Sequence, residues 1–136
     1  MSDRGQVEAT LRALYEARGR GDTAAIMAHF TPDVHFSING SPAARPIPLT
    51  VRGAAEVAEV AEQLIAAFEF RDIELLDIVV DRDRAVVHWR VNVRAPATGK
   101  EAETEIVDMF TLRDGKISSY RQFADTALAS QLVGAA

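Results

Sequence analysis

The second half of the chain most constrains its fold. Residues 71–80, 85–94, 102–112 and 117–124 read as strands, separated by Asp81-Arg82-Asp83-Arg84, by Ala95 to Lys100, and by Arg113-Asp114-Gly115-Lys116. Each connection is short enough for a hairpin, so this half predicts an antiparallel sheet. From Ala85 to Arg94, Val87, Trp89, Val91 and Val93 alternate with Val86, His88, Arg90, Asn92 and Arg94, the period of a strand. The next strand is apolar on both sides, with Val107 and Met109 opposing Ile106, Phe110 and Leu112, which implies that both sheet faces are covered.

The first half is helical in pattern. Val7, Leu11, Leu14 and Tyr15 recur at helical spacing up to a break at Gly19-Arg20-Gly21. Asp22 then caps a second helix with Ile26, Met27 and Phe30 facing inward, and Pro32 is expected to stop it. Val34, Phe36 and Ile38 alternate with His35, Ser37 and Asn39 as in a strand with one buried face. Residues 40–50 hold three of the five prolines and read as a loop. The longest predicted helix runs from Ala54 to Phe68, with Val57, Val60, Ala61, Leu64, Ile65 and Phe68 on its apolar side. Asp125 is best placed as the cap of a short last helix carrying Leu128 and Leu132. Helices first and strands later predict a single α+β domain over residues 1–136, with helices on one face of the sheet.

Composition narrows the partners. With 15 basic and 20 acidic residues the net charge is −5, and no basic run offers a surface for nucleic acid or an anionic membrane. Cysteine is absent, which excludes disulfides, thiol nucleophiles and thiolate metal sites. His29, His35 and His88 do not form a ligand set, so neither a metal nor a cofactor is expected. Gly19-x-Gly21 lacks the remainder of a dinucleotide motif, and no Gly-x-Ser-x-Gly elbow occurs. The start, MSDRGQVEAT, has no apolar run after its charges, and no stretch is long enough to span a membrane. A soluble cytoplasmic protein is the expectation.

Two segments, Gly21 to Ile38 and Ile106 to Asp125, with a long helix between them, resemble the nuclear transport factor 2-like superfamily. Its members include SnoaL-like polyketide cyclases, ketosteroid isomerases and limonene-epoxide-type hydrolases. The resemblance implies a cone-like curved antiparallel sheet with helices packed on its concave face, an internal pocket for a small apolar molecule, and a homodimer through the outer sheet face. Epoxide hydrolases of the superfamily carry Arg-x-Asp pointing into the pocket, and the match here is Arg90-Val91-Asn92. That places Arg90, Asn92 and His88 inside, and Trp89, Val91, Val93, Val107 and Met109 at the dimer surface. Ketosteroid isomerases match through Asp-x-Phe, here Asp108-Met109-Phe110, which implies that Asp108 lies in the pocket. A two-residue turn at Asp114-Gly115 sets Asp108 opposite Arg121, whereas a three-residue loop with Gly115 as a bulge sets it opposite Tyr120. The bulged loop is the expectation, because it gathers Asp108, Tyr120 and Gln122 with Arg90 and Asn92.

Asp108 lies between Val107 and Met109, surroundings that disfavour a carboxylate and favour a neutral acid. In ketosteroid isomerases such an acid donates a hydrogen bond. A structural pairing with Arg90 or Arg121 would have the opposite effect. The resemblance places the isomerase base at Ile38, which cannot accept a proton, and the oxyanion tyrosine at Leu14, with Tyr15 turned by roughly 100° on the helix. The hydrolases' Trp-Arg-Asp becomes Tyr120-Arg121-Gln122, and glutamine can orient water but not deprotonate it. The resemblance therefore implies an acid/base enzyme acting on an apolar carbonyl or hydroxyl compound, although one fold hosts many chemistries. Asp108 would supply the proton, Tyr120 and Gln122 would position oxygens, and Arg90, Asn92 and His88 would meet a polar end. Phe36, Ile38, Leu64, Phe68 and Phe110 would wall the cavity. The missing base keeps open a noncatalytic binding module, and a sheet that serves assembly alone is a third reading.

Overall fold

The computed structural model describes residues 3–41 and 47–134. Helix α1 (Arg4–Arg20) buries Val7, Leu11, Leu14 and Tyr15 along one stripe. It ends where Gly21 takes a left-handed φ of 69° and its N–H returns to the Ala17 and Arg18 carbonyls, a conformation that glycine adopts without a Cβ penalty. Helix α2 (Thr23–Met27) begins at Asp22, whose side chain accepts from the Ala25 N–H at 3.0 Å.

The helix that Pro32 was expected to stop ends five residues earlier. Pro32 lies within strand β1 (Phe30–Asn39), where the pairing register breaks between Phe30 and His35. A residue without an N–H fits such an irregularity better than a regular ladder. Strand β2 (Leu49–Arg52) has no strong sequence signal and pairs with β1, so the segment expected as a loop ends earlier than residue 50; residues 42–46 lie outside the described residues. Helix α3 (Ala54–Ala67) follows, then β3 (Glu69–Asp81), β4 (Arg84–Arg94), β5 (Glu101–Arg113), β6 (Lys116–Phe123) and α4 (Thr126–Leu132), which Asp125 caps as expected.

These strands form one curved, unclosed sheet in the order β2-β1-β6-β5-β4-β3. Every neighbouring pair is antiparallel except β1 and β6, which run parallel, so the expectation of a wholly antiparallel sheet is corrected at that pair. Register shifts after Arg71 and Leu75, with Asp72 at φ 56°, bend β3 as bulges do. Helix α1 packs against β3 and α3 against β1, so the helices occupy one face of the sheet.

The sharpest correction concerns β4. Trp89, Val91 and Val93, expected at a dimer surface, are buried beneath the helices. Arg90 and His88 point to the opposite face, where they pair with Glu74 and Glu105. Hydrophobic burial decides the matter, since the other choice would bury charged and polar side chains in place of Trp89 and three valines. Val107 and Met109 do lie on the outer face, at 37% and 41% exposure.

Leu11 is fully buried at the centre of this packing. Leu11→Ala is expected to destabilise the fold by about 2–5 kcal/mol, because the site cannot fully collapse around the lost methyls. A urea titration checks this, with an unchanged midpoint counting against the helix-on-sheet core.

Candidate functional site

The site is assembled at the hairpin of β5 and β6. Asp114 and Gly115 take φ values of 52° and 80°, and Arg113 pairs with Lys116, so the turn has two residues and not the expected three. Left alone, that turn would set Asp108 opposite Arg121. An irregularity intervenes: Leu112 pairs with Ile117 but Thr111 pairs with Ser119, leaving Ser118 as the extra residue, its hydroxyl donating to the Thr111 carbonyl. The register moves by one, Phe110 meets Tyr120, and Asp108 meets Gln122. The expected gathering of Asp108, Tyr120 and Gln122 is present, produced by a bulge at Ser118 and not at Gly115.

Asp108 is fully buried. Its Oδ2 accepts from the Tyr15 hydroxyl at 2.5 Å, the Trp89 indole N–H at 2.9 Å and the Tyr120 hydroxyl at 3.1 Å, while Gln122 Nε2 donates to the Tyr120 hydroxyl at 3.3 Å. Oδ1 has no hydrogen-bond partner among the described residues. Burial raises the Asp108 pKa from 3.8 to about 7, against the opposing effect of its hydrogen-bond donors. Burial and the neighbouring Asp108 carboxyl both push the Tyr15 and Tyr120 phenols well above their ordinary value.

The donors around Asp108 stand at the wall of a cavity of about 110 Å³, several times the roughly 15 Å³ that one water needs. Tyr15, Trp89, Tyr120 and Gln122 line it, as do Phe36, Ile38, Leu64 and Phe68. Asp108 does not line it and sits behind its donors. Phe110, expected in the wall, is likewise set back, its ring 4.5 Å from that of Tyr120. Arg90, His88 and Asn92 are absent from the cavity because alternation carries them to the outer face of β4. Asp125 lines the rim while capping α4.

Three participants were missed in the sequence. Trp89 was assigned to the wrong face. Tyr15 was read as a core residue of α1 and as turned away from the oxyanion-tyrosine position at Leu14, yet its hydroxyl reaches Asp108. Arg18 also lines the cavity, and burial lowers its pKa to about 10. Its spacing carried a signal, since Arg18 follows Leu11 and Leu14 by seven and four residues and so falls on their apolar stripe. Among the described residues no group of three or more His, Asp or Glu side chains is placed to hold a metal, and no helix is long and apolar enough to cross a membrane.

The fold, a curved sheet with helices on one face, is that of a nuclear transport factor 2-like protein. The sequence pattern of the SnoaL-like domain matches residues 11–120, and the chain belongs to that family. No curated protein matches it significantly. Solved structures of similar fold include a Bacillus subtilis protein provisionally named an isomerase, with 14% identity, TM-score 0.88, and coverage of 100% of this chain and 98% of that one. A provisionally named polyketide cyclase from Xanthomonas campestris pv. campestris has 21% identity, TM-score 0.80, and coverage of 98% and 100%. A provisionally named SnoaL-like polyketide cyclase from Jannaschia sp. CCS1 has 19% identity, TM-score 0.80, and coverage of 98% and 99%.

Between the ordinary carboxyl pKa and about 7, folded Asp108 retains a proton that the unfolded chain releases. Its contribution to stability therefore falls as pH rises through that window. The stability of wild type relative to Asp108→Asn should decline from pH 5 to pH 8 in urea titrations, and a difference independent of pH would contradict a neutral buried acid.

Proposed function

We propose that this protein is a small-molecule enzyme that uses acid/base chemistry on a largely apolar carbonyl or hydroxyl compound held in the cavity. The observation that carries this reading is a buried carboxyl, its pKa near neutrality, joined by hydrogen bonds to two cavity-lining tyrosines. A ligand oxygen in the cavity meets Tyr15 or Tyr120, not Asp108 itself. For this, one of the two hydrogen bonds reverses: neutral Asp108 donates its own proton to that tyrosine's oxygen and the tyrosine O–H turns to the ligand. As the ligand oxygen gains negative charge, that O–H bond breaks toward it and the phenolic oxygen takes the Asp108 proton, leaving the carboxylate. Phenolate need not accumulate, which suits hydroxyls whose ionisation is strongly disfavoured. Gln122 orients the Tyr120 hydroxyl.

Ile38, which lines the wall, favours a second reading, a noncatalytic module that binds the same class of molecule, because the resemblance implies that isomerases carry their base at this position and isoleucine cannot accept a proton. Equilibrating the protein with a metabolite extract, identifying the retained compound by mass spectrometry and assaying its conversion separates the two. We expect turnover to fall about a hundredfold or more in Asp108→Asn and in the variant of whichever tyrosine contacts the ligand, Tyr15→Phe or Tyr120→Phe. Retention without conversion supports the module, and undiminished turnover in Asp108→Asn removes Asp108 from the chemistry.

The proposed partner on the outer sheet face is a second copy of the chain. Support comes from Val79, Val107, Met109 and Phe123, exposed there by between 37% and 54%, with Val79, Val86 and Met109 paired along one row and Val107 and Phe123 along the next. Met109→Glu should convert a dimer to monomers in sedimentation, and a wild-type chain that sediments as a monomer contradicts the assembly.

A further inference from the structure

We infer that Arg18 is an anion-binding residue of the cavity, and that the molecule held there is an organic acid with an apolar body whose carboxylate pairs with the Arg18 guanidinium. This deepens the acid/base reading and rests on the same cavity. Arg18 lies one turn beyond Leu14 and Tyr15 on α1, facing the same side. Its Nη2 makes both of its hydrogen bonds to protein, to the Leu64 and Phe68 carbonyls at 3.3 and 3.0 Å, where α3 ends. The guanidinium carbon stands 3.7 Å from the centre of the Phe70 ring, which leaves the planar group held by a helix end on one side and an aromatic face on another.

Among the described residues no carboxylate pairs with this cation. Arg18 enters none of the ion pairs among the described residues, and its Nε and Nη1 have no hydrogen-bond partner there. Neither nitrogen is among the polar atoms sealed off inside the protein, so both remain available to a ligand. Asp125 is the other charged residue of the wall, but it is exposed at the rim and occupied in capping α4. A half-buried cation in a mainly apolar enclosure favours an anionic occupant. The fork of a guanidinium fits a planar carboxylate through two parallel hydrogen bonds. Arg18 and Tyr120 both line the cavity, so the anion's anchor and the phenol face the same space. Arg18 thus takes the polar-end role that the sequence had assigned to Arg90.

The test titrates the full chain with matched probes, benzoate against benzamide and hexanoate against hexanamide, at a pH where the acids are ionised, following amide chemical shifts. Acids should bind about tenfold tighter than their amides or better, the worth of one or two charge-assisted hydrogen bonds. Arg18→Gln should erase that preference and leave amide affinity unchanged, which a merely structural role for Arg18 would not produce. Should Arg18→Gln not fold, Arg18→Lys keeps the charge without the fork and should weaken acid binding alone; unaltered acid affinity in that variant overturns the proposal. Equal affinity for acid and amide, no binding of either acid, or a preference that survives Arg18→Gln does so too. Acid preference without conversion of any compound removes the acid/base reading alone, whereas conversion that depends on Asp108 without acid preference removes the anion site alone.

Discussion

One carboxylate oxygen ties the molecule together. Asp108 Oδ2 receives donors from α1, β4 and β6, so a single buried atom fixes how the first helix sits against strands more than seventy residues away in the chain. Burying a carboxyl is costly unless it is hydrogen-bonded, and here the donors are aromatic side chains that also fill the core. Tyr15 lies 4.9 Å from Trp89 between ring centres, and Tyr120 packs edge-on against Phe36 at the same distance. Polar satisfaction and apolar packing are therefore supplied by the same residues, and displacing any one of them disturbs both.

That convergence depends on strand parity. Side chains alternate at every residue, so a hairpin that slipped by one would turn Tyr120 and Gln122 away from Asp108 and bring Arg121 to it. Asp114-Gly115 favours the two-residue turn that produces the wrong parity, and the extra residue at Ser118 restores the right one. Local turn chemistry and tertiary packing conflict here. The conflict is resolved within five residues of the turn, before the strand reaches the site.

Much of the architecture was legible because it follows from short-range patterns. The apolar stripe of α1, the Asp22 and Asp125 caps and the strand lengths from residue 69 to 123 need no knowledge of the rest of the chain. Asp108 was legible for a related reason, as an acid set between Val107 and Met109 in the apolar half of its strand. The failures at the site mostly concern which of two faces looks inward, whereas the parallel β1–β6 pair and the short strand β2 depend on long-range pairing that no local pattern carries. On β4 the apolar set and the charged set are equally regular, and alternation cannot say which is buried; the decision comes from Trp89 finding Asp108 and the rings of Tyr15 and Phe70. The Arg90-Val91-Asn92 match pointed the other way, and a three-residue motif is weak evidence beside the burial of an indole and three valines. Tyr15 was hidden by its own hydrophobicity, since a tyrosine on an apolar stripe looks the same whether its hydroxyl reaches a partner or only the edge of the core.

Under the proposed acid/base reading, the position of Asp108 behind the tyrosines limits what the site could do. An acid in direct contact with a ligand could protonate any moderately basic atom, but here the proton must pass through a phenol whose own ionisation is strongly disfavoured. Transfer is then favourable only toward an atom that becomes markedly basic as the reaction proceeds, such as a carbonyl oxygen acquiring enolate character, and an alcohol or ether at rest would merely be hydrogen-bonded. Arg18 modifies this selectivity, because a nearby cation stabilises Tyr120 phenolate and offsets part of the effect of burial and of Asp108. The two tyrosines are thus not equivalent. Tyr15 makes the shorter hydrogen bond to Asp108, whereas Tyr120 lies under the influence of Arg18 and accepts from Gln122, so the proposed proton transfer is better served by Tyr120.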